Sequence, residues 1–371
     1  MKKSEKSRSP APRVWVLCGR KAGDNTQLQA LAEALGWPFE LKKIYNRKFE
    51  LLANILLGAT LAGVDRKRSD RLEPPWPDLV LTAGRRNEPV ARWIHKQSGG
   101  KTRLVHVGRP WSPPENFDLV ITTPQYNISG RSEVMTVDLP LHAQTRESLD
   151  ELRGEWMTQF SYLPGPRWAV LLGGDSGPFV FTADKARRLA AWLNDRVGEE
   201  GGSVLASNSA RTPDTAYKAF LEALDVPVYA YHWGSDEANP YQGLLSVADR
   251  FVVTGESMSM LAEAAAAQRP LYIFDLSDSP ADASQSVDRP WWLVAHNFRF
   301  KPLTHRLAML IAPERMRRDI TRIQSALVQS GVAAWAGQSV VQEVQASGGK
   351  GLDYAVEGVR QMMNREKTDK V

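Results

Sequence analysis

The 371-residue sequence predicts an α/β protein of two Rossmann-like domains facing across a cleft. Three observations predict it. Short apolar runs alternate with helix-length amphipathic segments, the rhythm slackens and restarts once near the middle, and several strand-like runs end in Gly, Ser, Arg or Asp just before a helix. The length suits two cores better than one.

The run 13–18 (RVWVLC) reads as the first strand and 25–36 as its helix, with Gly36 as the stop. The strands 78–84, 103–108 and 117–123, with a helix over 87–100, complete a first unit. From Arg131 to Pro166 the pattern loosens into charged helix and Pro/Gly-rich connection. It restarts with strand 167–174, helix 183–197, strand 202–209, helix 213–224, strand 226–233, strand 250–255, an alanine-rich helix and strand 270–275. The expected organisation is a disordered basic tail (1–12), a first Rossmann-like domain (13–145), a linker (146–166), a second Rossmann-like domain (167–330) and a helical tail (331–371) that crosses back over the first domain.

Composition narrows the class. Hydrophobic content of 43% and charged content of 24% are ordinary for a folded chain. The single cysteine, Cys18, allows no internal disulfide, so a reducing, cytoplasmic setting is expected. The net charge of +5 is concentrated in residues 1–13 and 40–71. Within the second block, residues 42–63 read as a basic amphipathic helix fit either to lie on the cytoplasmic face of an anionic inner membrane or to pack on its own sheet. The basic region lacks the interleaved aromatics of a base-stacking platform, so no nucleic-acid partner is expected.

Chemistry-bearing residues gather at strand ends. In TGESMSMLAEA, Gly255, Glu256, Ser257 and Ser259 lead into a helix whose free N–H groups suit a phosphate, although a plain N-cap reads equally well. Glu263, one turn further in, sits amid alanines, where a ribose diol would satisfy it. Gly173, Gly174 and Ser176 in LLGGDSGPF resemble a phosphate-cradling turn, without the Lys-Ser/Thr of a P-loop. The substring GDSG is not read as a protease nucleophile, because it lies in an α/β restart.

Ser209, Arg211 and Thr212 precede Pro213, whose fixed φ suits a first helical position, and Arg211 suits a pyrophosphate or a solvated surface. Asn239 and Tyr241 supply a loop aromatic that could stack on a base. In the first half, Asp24 is either a helix cap or a general base, with Glu88 and His106 as further candidates. Arg85 and Arg86 could hold an anionic acceptor or simply face solvent, and Arg20 is a further acceptor-binding candidate. No metal site is expected, because the six histidines are scattered and no Asp-x-Asp triplet occurs.

Taken in order, GRKAGDNTQ, AGRR, LLGGDS, SNSARTP, NPY, VAD and TGESMSMLAEA resemble the family of bacterial glycosyltransferase-related proteins that includes the plant elongated-mitochondria fission factor. The resemblance covers roughly residues 13–330. It implies a GT-B architecture, with the acceptor on the first domain (13–145) and the nucleotide-sugar on the second (167–330), and an inverting, metal-independent transfer from that nucleotide-sugar, with no cofactor, to a lipid-linked or cell-envelope glycan such as lipopolysaccharide. It also implies that Ser209, Arg211, Thr212, Asn239, Tyr241, Ser257, Ser259 and Glu263 bind the donor. Two positions depart from the family pattern: Ala210-Arg211 stands for two arginines, and Glu256-Ser257 for Asp-Ser. A sugar-nucleotide epimerase of the same fold and a non-catalytic adaptor like the plant factor are the alternatives.

Overall fold

The computed structural model describes residues 11–47, 58–177, 179–277, 314–338 and 351–365, with the isolated positions 307, 310 and 311. The chain divides into two compact units, residues 1–143 with 349–371 and residues 144–348.

The first unit is a six-stranded parallel sheet in the order β2-β1-β3-β4-β5-β6. Its strands are β1 (Val14–Cys18), β2 (Phe39–Lys43), β3 (Leu79–Ala83), β4 (Arg103–Val107), β5 (Leu119–Thr122) and β6 (Val134–Thr136). Three helices, α1 (Ala22–Leu35), α2 (Glu88–Gln97) and the C-terminal α9 (Leu352–Asn364), belong to it. The two-residue period of a strand divides the core into two layers. Val14, Val16 and Cys18 pack with Leu28, Leu31 and Val359 on one side, while Trp15 and Leu17 pack with Val90, Ala91 and Ile94 on the other. Both faces are covered, which is why β1 is an unbroken apolar run and β3 is one but for the buried Thr82.

The second unit repeats the plan in the order β12-β11-β10-β7-β8-β9. Its strands are β7 (Arg167–Leu171), β8 (Ser203–Ser207), β9 (Val228–Tyr231), β10 (Arg250–Thr254), β11 (Leu271–Phe274) and β12 (Ala334–Trp335). The helices are α3 (Arg146–Gln159), α4 (Ala183–Glu200), α5 (Asp214–Glu222), α6 (Tyr241–Val247), α7 (Met258–Ala266) and α8 (Thr321–Gln329). Trp168, Val170 and Leu172 bury one face against α4 and α5, and Leu205 with Phe160, Leu244 and Val247 fills the other.

Several expectations need correction. The stretch 146–166, read as a linker, contains α3, a helix with a Thr145–Ser148 capping box. Arg153 bonds the Ser246 and Val247 carbonyls and the Asp249 carboxylate, and Arg269 bonds Asp150 at 2.6 Å, so α3 is stapled into the second unit. Residues 331–371 are likewise not one helical tail: β12 extends the second sheet and α9 belongs to the first unit.

The basic helix expected over 42–63 does not form in its described parts. Residues 39–43 are the edge strand β2, and 44–47 and 58–63 are not helical. Lys42 is buried, pairs with Glu40 at 2.5 Å and lies 4.5 Å from the Trp15 ring centre. Lys48, Phe49, Leu51, Leu52, Ile55 and Leu56 lie outside the described residues. Among the described residues no helix is long and apolar enough to cross a membrane.

Candidate functional site

In an open parallel sheet, the crevice where the strand order reverses lies beyond the carboxyl ends of the strands. The order in the second sheet reverses between β7 and β10, and in the first between β1 and β3. Most of the residues singled out from sequence stand at or beside these two points.

In the second unit Leu171 is in register with Val253, so the turns after β7 and β10 meet. The Gly173 N–H donates to Thr254 Oγ1 at 2.8 Å, and the Gly174 N–H donates to Glu256 Oε1 at 2.5 Å. A Cβ on Gly173 would fall 1.9 Å from Glu256 Oε1, and one on Gly174, which has φ +145°, would fall 2.2 Å from the Arg211 carbonyl oxygen. Both glycines are therefore required by close approach. The consequence corrects the reading of this turn as an open phosphate cradle, since the protein's own Thr254 and Glu256 already occupy those two amides. Ser176 is turned to accept from Arg318 Nη1 at 3.2 Å.

The loop after β8 packs onto the same turn. Ser209 Oγ donates to the Gly173 carbonyl at 2.5 Å, and the Thr212 hydroxyl lies on the Leu172 and Gly173 carbonyls. These two hydroxyls hold the loop rather than project from it. Arg211 projects: its side chain is 45% exposed, with Nη2 4.0 Å from Glu256 Oε1. Pro213 is the residue before α5 rather than its first residue.

Helix α7 begins at this junction, and no side chain caps its N-terminus. Ser257 is buried at the cap position and Ser259, the second residue of the helix, is half-buried. The Gly255 carbonyl accepts from Gln324 Nε2 at 2.7 Å, which closes the turn from α8. Burial pushes the Glu256 carboxyl up, against the opposing pull of Arg211 and the Gly174 N–H. Glu263 is 8% exposed. Its Oε2 accepts from the Tyr241 hydroxyl at 2.5 Å, and burial pushes its pKa up to about 7.

Tyr241 is thus not a loop aromatic presented for stacking. It opens α6, its N–H donates to Asn239 Oδ1 at 3.0 Å, and its hydroxyl is committed to Glu263. The exposed aromatic of this end is Trp233, 48% exposed just past β9 and held through its N–H by Asn208 Oδ1 at 2.5 Å. Sequence reading missed Trp233, Thr254, Gln324 and Arg318. A Trp two residues beyond a strand was the only signal available, because the other three act across 69 to 142 residues or within a strand end.

In the first unit, Asp24 is no cap: α1 starts at Ala22 after Lys21, and Asp24 lies in its first turn. Its carboxylate, 32% exposed, sits 3.6 Å from Lys21 Nζ. A Cβ on Gly84 would come 2.9 Å from Asp24 Oδ2, so the carboxylate overlies the turn after β3. Asn25 clamps the turn after β1, accepting the Gly19 N–H and donating to the Gly19 carbonyl, both at 2.9 Å. The Arg85 guanidinium lies 4.9 Å from the Trp111 ring centre, Arg86 is half-buried beside it, and Arg20 is exposed.

Glu88 and His106 stand behind this surface. Glu88 is buried, and its two oxygens accept the Trp111 and Ser112 N–H groups at 2.6 and 2.9 Å, so it anchors the 111–112 loop. Burial pushes its carboxyl up, against those N–H donors. His106 is wholly buried, and burial holds its imidazole down at about 3, opposed by the Gly108 backbone. Its Nε2 lies 3.7 Å from Glu88, but a neutral ring makes no ion pair there. Of the three proposed proton-transfer groups, only Asp24 reaches solvent. Among the described residues no three His, Cys, Asp or Glu side chains are grouped to hold a metal ion.

Comparison with known proteins places this geometry. The profile of the family described as Mitochondrial fission ELM1 matches residues 22–289. The Arabidopsis thaliana mitochondrial fission protein ELM1 is 27% identical over 240 residues, covering 59% of this chain and 56% of the plant protein, so the chain spans little more than half of that relative. The uncharacterised protein RP120 of Rickettsia prowazekii is 24% identical over 301 residues, covering 70% of this chain and 82% of that one. Similar solved structures are UDP-GlcNAc 2-epimerases and glycosyltransferases. The Neisseria meningitidis UDP-GlcNAc 2-epimerase has a TM-score of 0.48 at 10% identity, covering 95% of this chain and 99% of its own.

Proposed function

The chain belongs to the mitochondrial fission ELM1 family, and from that premise we propose that it is a nucleotide-sugar-dependent glycosyltransferase whose second unit binds the donor. The observation that carries the reading is the junction of β7, β8 and β10. There an exposed Arg211, the uncapped N-terminus of α7 and the buried Tyr241–Glu263 pair converge. A cation and a helix N-terminus suit a diphosphate. A buried carboxylate with a phenol beside it suits the two hydroxyls of a ribose.

A leaving diphosphate stabilised by Arg211 and α7 asks for no metal. The first unit then takes the acceptor, a lipid-linked or cell-envelope glycan, with Arg20, Arg85 and Arg86 as its cations and Asp24 as the base for the attacking hydroxyl. Exposed Phe39, Leu41 and Tyr45 beside Lys43 and Arg47 support contact with an anionic inner leaflet, made from the edge of β2 rather than from an amphipathic helix.

The test is a thermal-shift screen of the protein, Arg211→Ala and Glu263→Ala against nucleoside diphosphates, cytidine monophosphate and their sugar conjugates without metal. A selective rise in melting temperature, lost in both variants, is expected. No shift with any nucleotide sinks the reading and favours the adaptor role that the plant relative's name suggests.

A further inference from the structure

Glu256 stands where an incoming anion would sit. Its Oε1 takes the Gly174 N–H at 2.5 Å and lies 4.0 Å from the Arg211 guanidinium, the two groups of this turn that a phosphate would engage. Its Oε2 is buried and makes no hydrogen bond of ordinary geometry, in a residue only 1% exposed, although the Thr254 hydroxyl and Glu256's own N–H bear on the carboxyl and favour its charged form. A buried carboxylate oxygen so weakly satisfied is costly, so the carboxyl points to a group that the ligand brings.

The surroundings decide which group that is. Thr254 and Gly174 face Glu256 from β10 and the turn after β7, Arg211 faces it from the loop after β8, and Ser257 opens α7 beside it. On the far side of the turn Gln324 of α8 binds the Gly255 carbonyl. Arg211 is the charged group acting on the carboxyl, and burial outweighs it in pushing Glu256 toward the protonated form. A phosphate that approaches Arg211 and α7 adds negative charge to a site already holding one carboxylate. Two anions sharing one site favour a shared proton. A protonated carboxyl also turns Oε2 into a donor, which a phosphate oxygen can accept.

We propose that Glu256 takes up one proton from solvent when a phosphate group binds beside Arg211 and the N-terminus of α7, and that its Oε2–H then donates to a phosphate oxygen. No covalent bond forms or breaks other than this O–H. The inference rests on the donor-site reading above and deepens it: Glu256 makes the site selective for ligands whose phosphate can accept a hydrogen bond, and makes their affinity fall as pH rises.

Inorganic pyrophosphate tests it without requiring a nucleoside. It is titrated calorimetrically into the full chain and into Glu256→Gln, in buffers of different ionisation enthalpy, between pH 6.5 and 8.5. The wild type should take up about one proton more per pyrophosphate than the variant. Its affinity should also fall relative to the variant by roughly tenfold per pH unit on the alkaline side. Equal proton counts, or no pyrophosphate binding by either protein, overturn the proposal.

Should Glu256→Gln fail to fold, infrared difference spectra of the wild type decide. A new carboxylic-acid C=O stretch on pyrophosphate addition supports the proposal, and its absence refutes it. UDP titrated in parallel separates the two readings. Pyrophosphate binding with the extra proton but no UDP binding leaves Glu256 in this role and removes the nucleotide reading. UDP binding with equal proton counts removes only the role of Glu256.

Discussion

The Tyr241 hydroxyl donates to Glu263 Oε2 at 2.5 Å, tying the first residue of α6 to the second turn of α7. The bond makes a buried carboxylate tolerable without making it stabilising. Burial lifts Glu263 from the ordinary 4.5 to about 7, so between those values the folded chain holds a proton that the unfolded chain has released. Stability therefore falls as pH rises from about 4.5 to 7, by on the order of 3 kcal/mol, and changes no further above 7 on this account. Glu263→Gln keeps an acceptor for Tyr241 and removes the titration. Melting curves at pH 5 and pH 8 should show the variant more stable than wild type at pH 8 and about equal at pH 5. An equal change in stability between pH 5 and pH 8 in wild type and variant would sink this account. On the proposed donor-site reading, the same variant should also bind nucleotide more weakly.

The close approach of α3 to α6 gives a second prediction. A Cβ on Gly243 would lie 2.1 Å from the Trp156 ring, so Gly243→Ala must push α3 away or distort α6. Overpacking of this kind costs about 1–3 kcal/mol. Urea denaturation should show that loss in Gly243→Ala, and a smaller increment when Gly243→Ala is introduced into Trp156→Ala and measured against that variant. If α3 were a free linker, Gly243→Ala would cost less than about 1 kcal/mol, the ordinary helix-interior difference between the two residues having the opposite sign.

The strands were legible where both faces are buried, because VWVLC, LVLTA and RFVVT carry their burial in composition alone. β2 was not. FELKK is an edge strand with four exposed positions, and its lysines next to an apolar run imitate an amphipathic helix. The strand ends also exposed the candidate residues as a set, since Gly, Ser and Arg there serve no packing need. What the sequence could not reveal was which way those residues turn. Ser209 and Thr212 face back onto the Gly173 carbonyl, Tyr241 is consumed by Glu263, and Glu256 fills the turn that its neighbouring glycines seemed to keep open. Each outcome depends on a partner tens of residues away. The α3 segment was misread for a related reason: its polar surface looks unattached, and its attachment runs through Arg153 and Trp156 to a helix some 90 residues on.

His106 separates a structural from a chemical role in the first unit. The folded chain keeps this imidazole neutral down to about pH 3, whereas the unfolded chain protonates it near 6.5. Stability must therefore fall as pH drops from about 6.5 toward 3. His106→Leu removes that proton uptake and gives up only the contact with the Gly108 backbone. The variant should lie within about 1.5 kcal/mol of wild type at pH 7.5 and lose less stability between pH 6 and 4. Retained turnover in the variant would confine His106 to packing against Phe117, 5.0 Å away between ring centres.

Asp24 carries the last prediction. It is the exposed carboxylate at the switch point of the first sheet, lying over the Gly84 turn, while Glu88 is spent on the Trp111 and Ser112 amides. A general base contributes about 10²–10⁴ in rate and little to binding of the donor. Asp24→Asn should therefore lower acceptor-dependent release of nucleoside diphosphate by about two to four orders of magnitude and leave donor affinity unchanged, because the residues proposed to bind the donor belong to the second unit. Asp24→Glu, which returns a carboxylate on a longer stem, should recover part of the rate. Asn keeps the size and polarity of Asp but cannot take a proton, so a loss confined to turnover isolates proton abstraction from acceptor positioning. An Asp24→Asn enzyme with wild-type turnover would move the base to a residue not singled out in the first unit. A variant that instead raises the acceptor KM at unchanged turnover would make Asp24 a binding group for the acceptor hydroxyl.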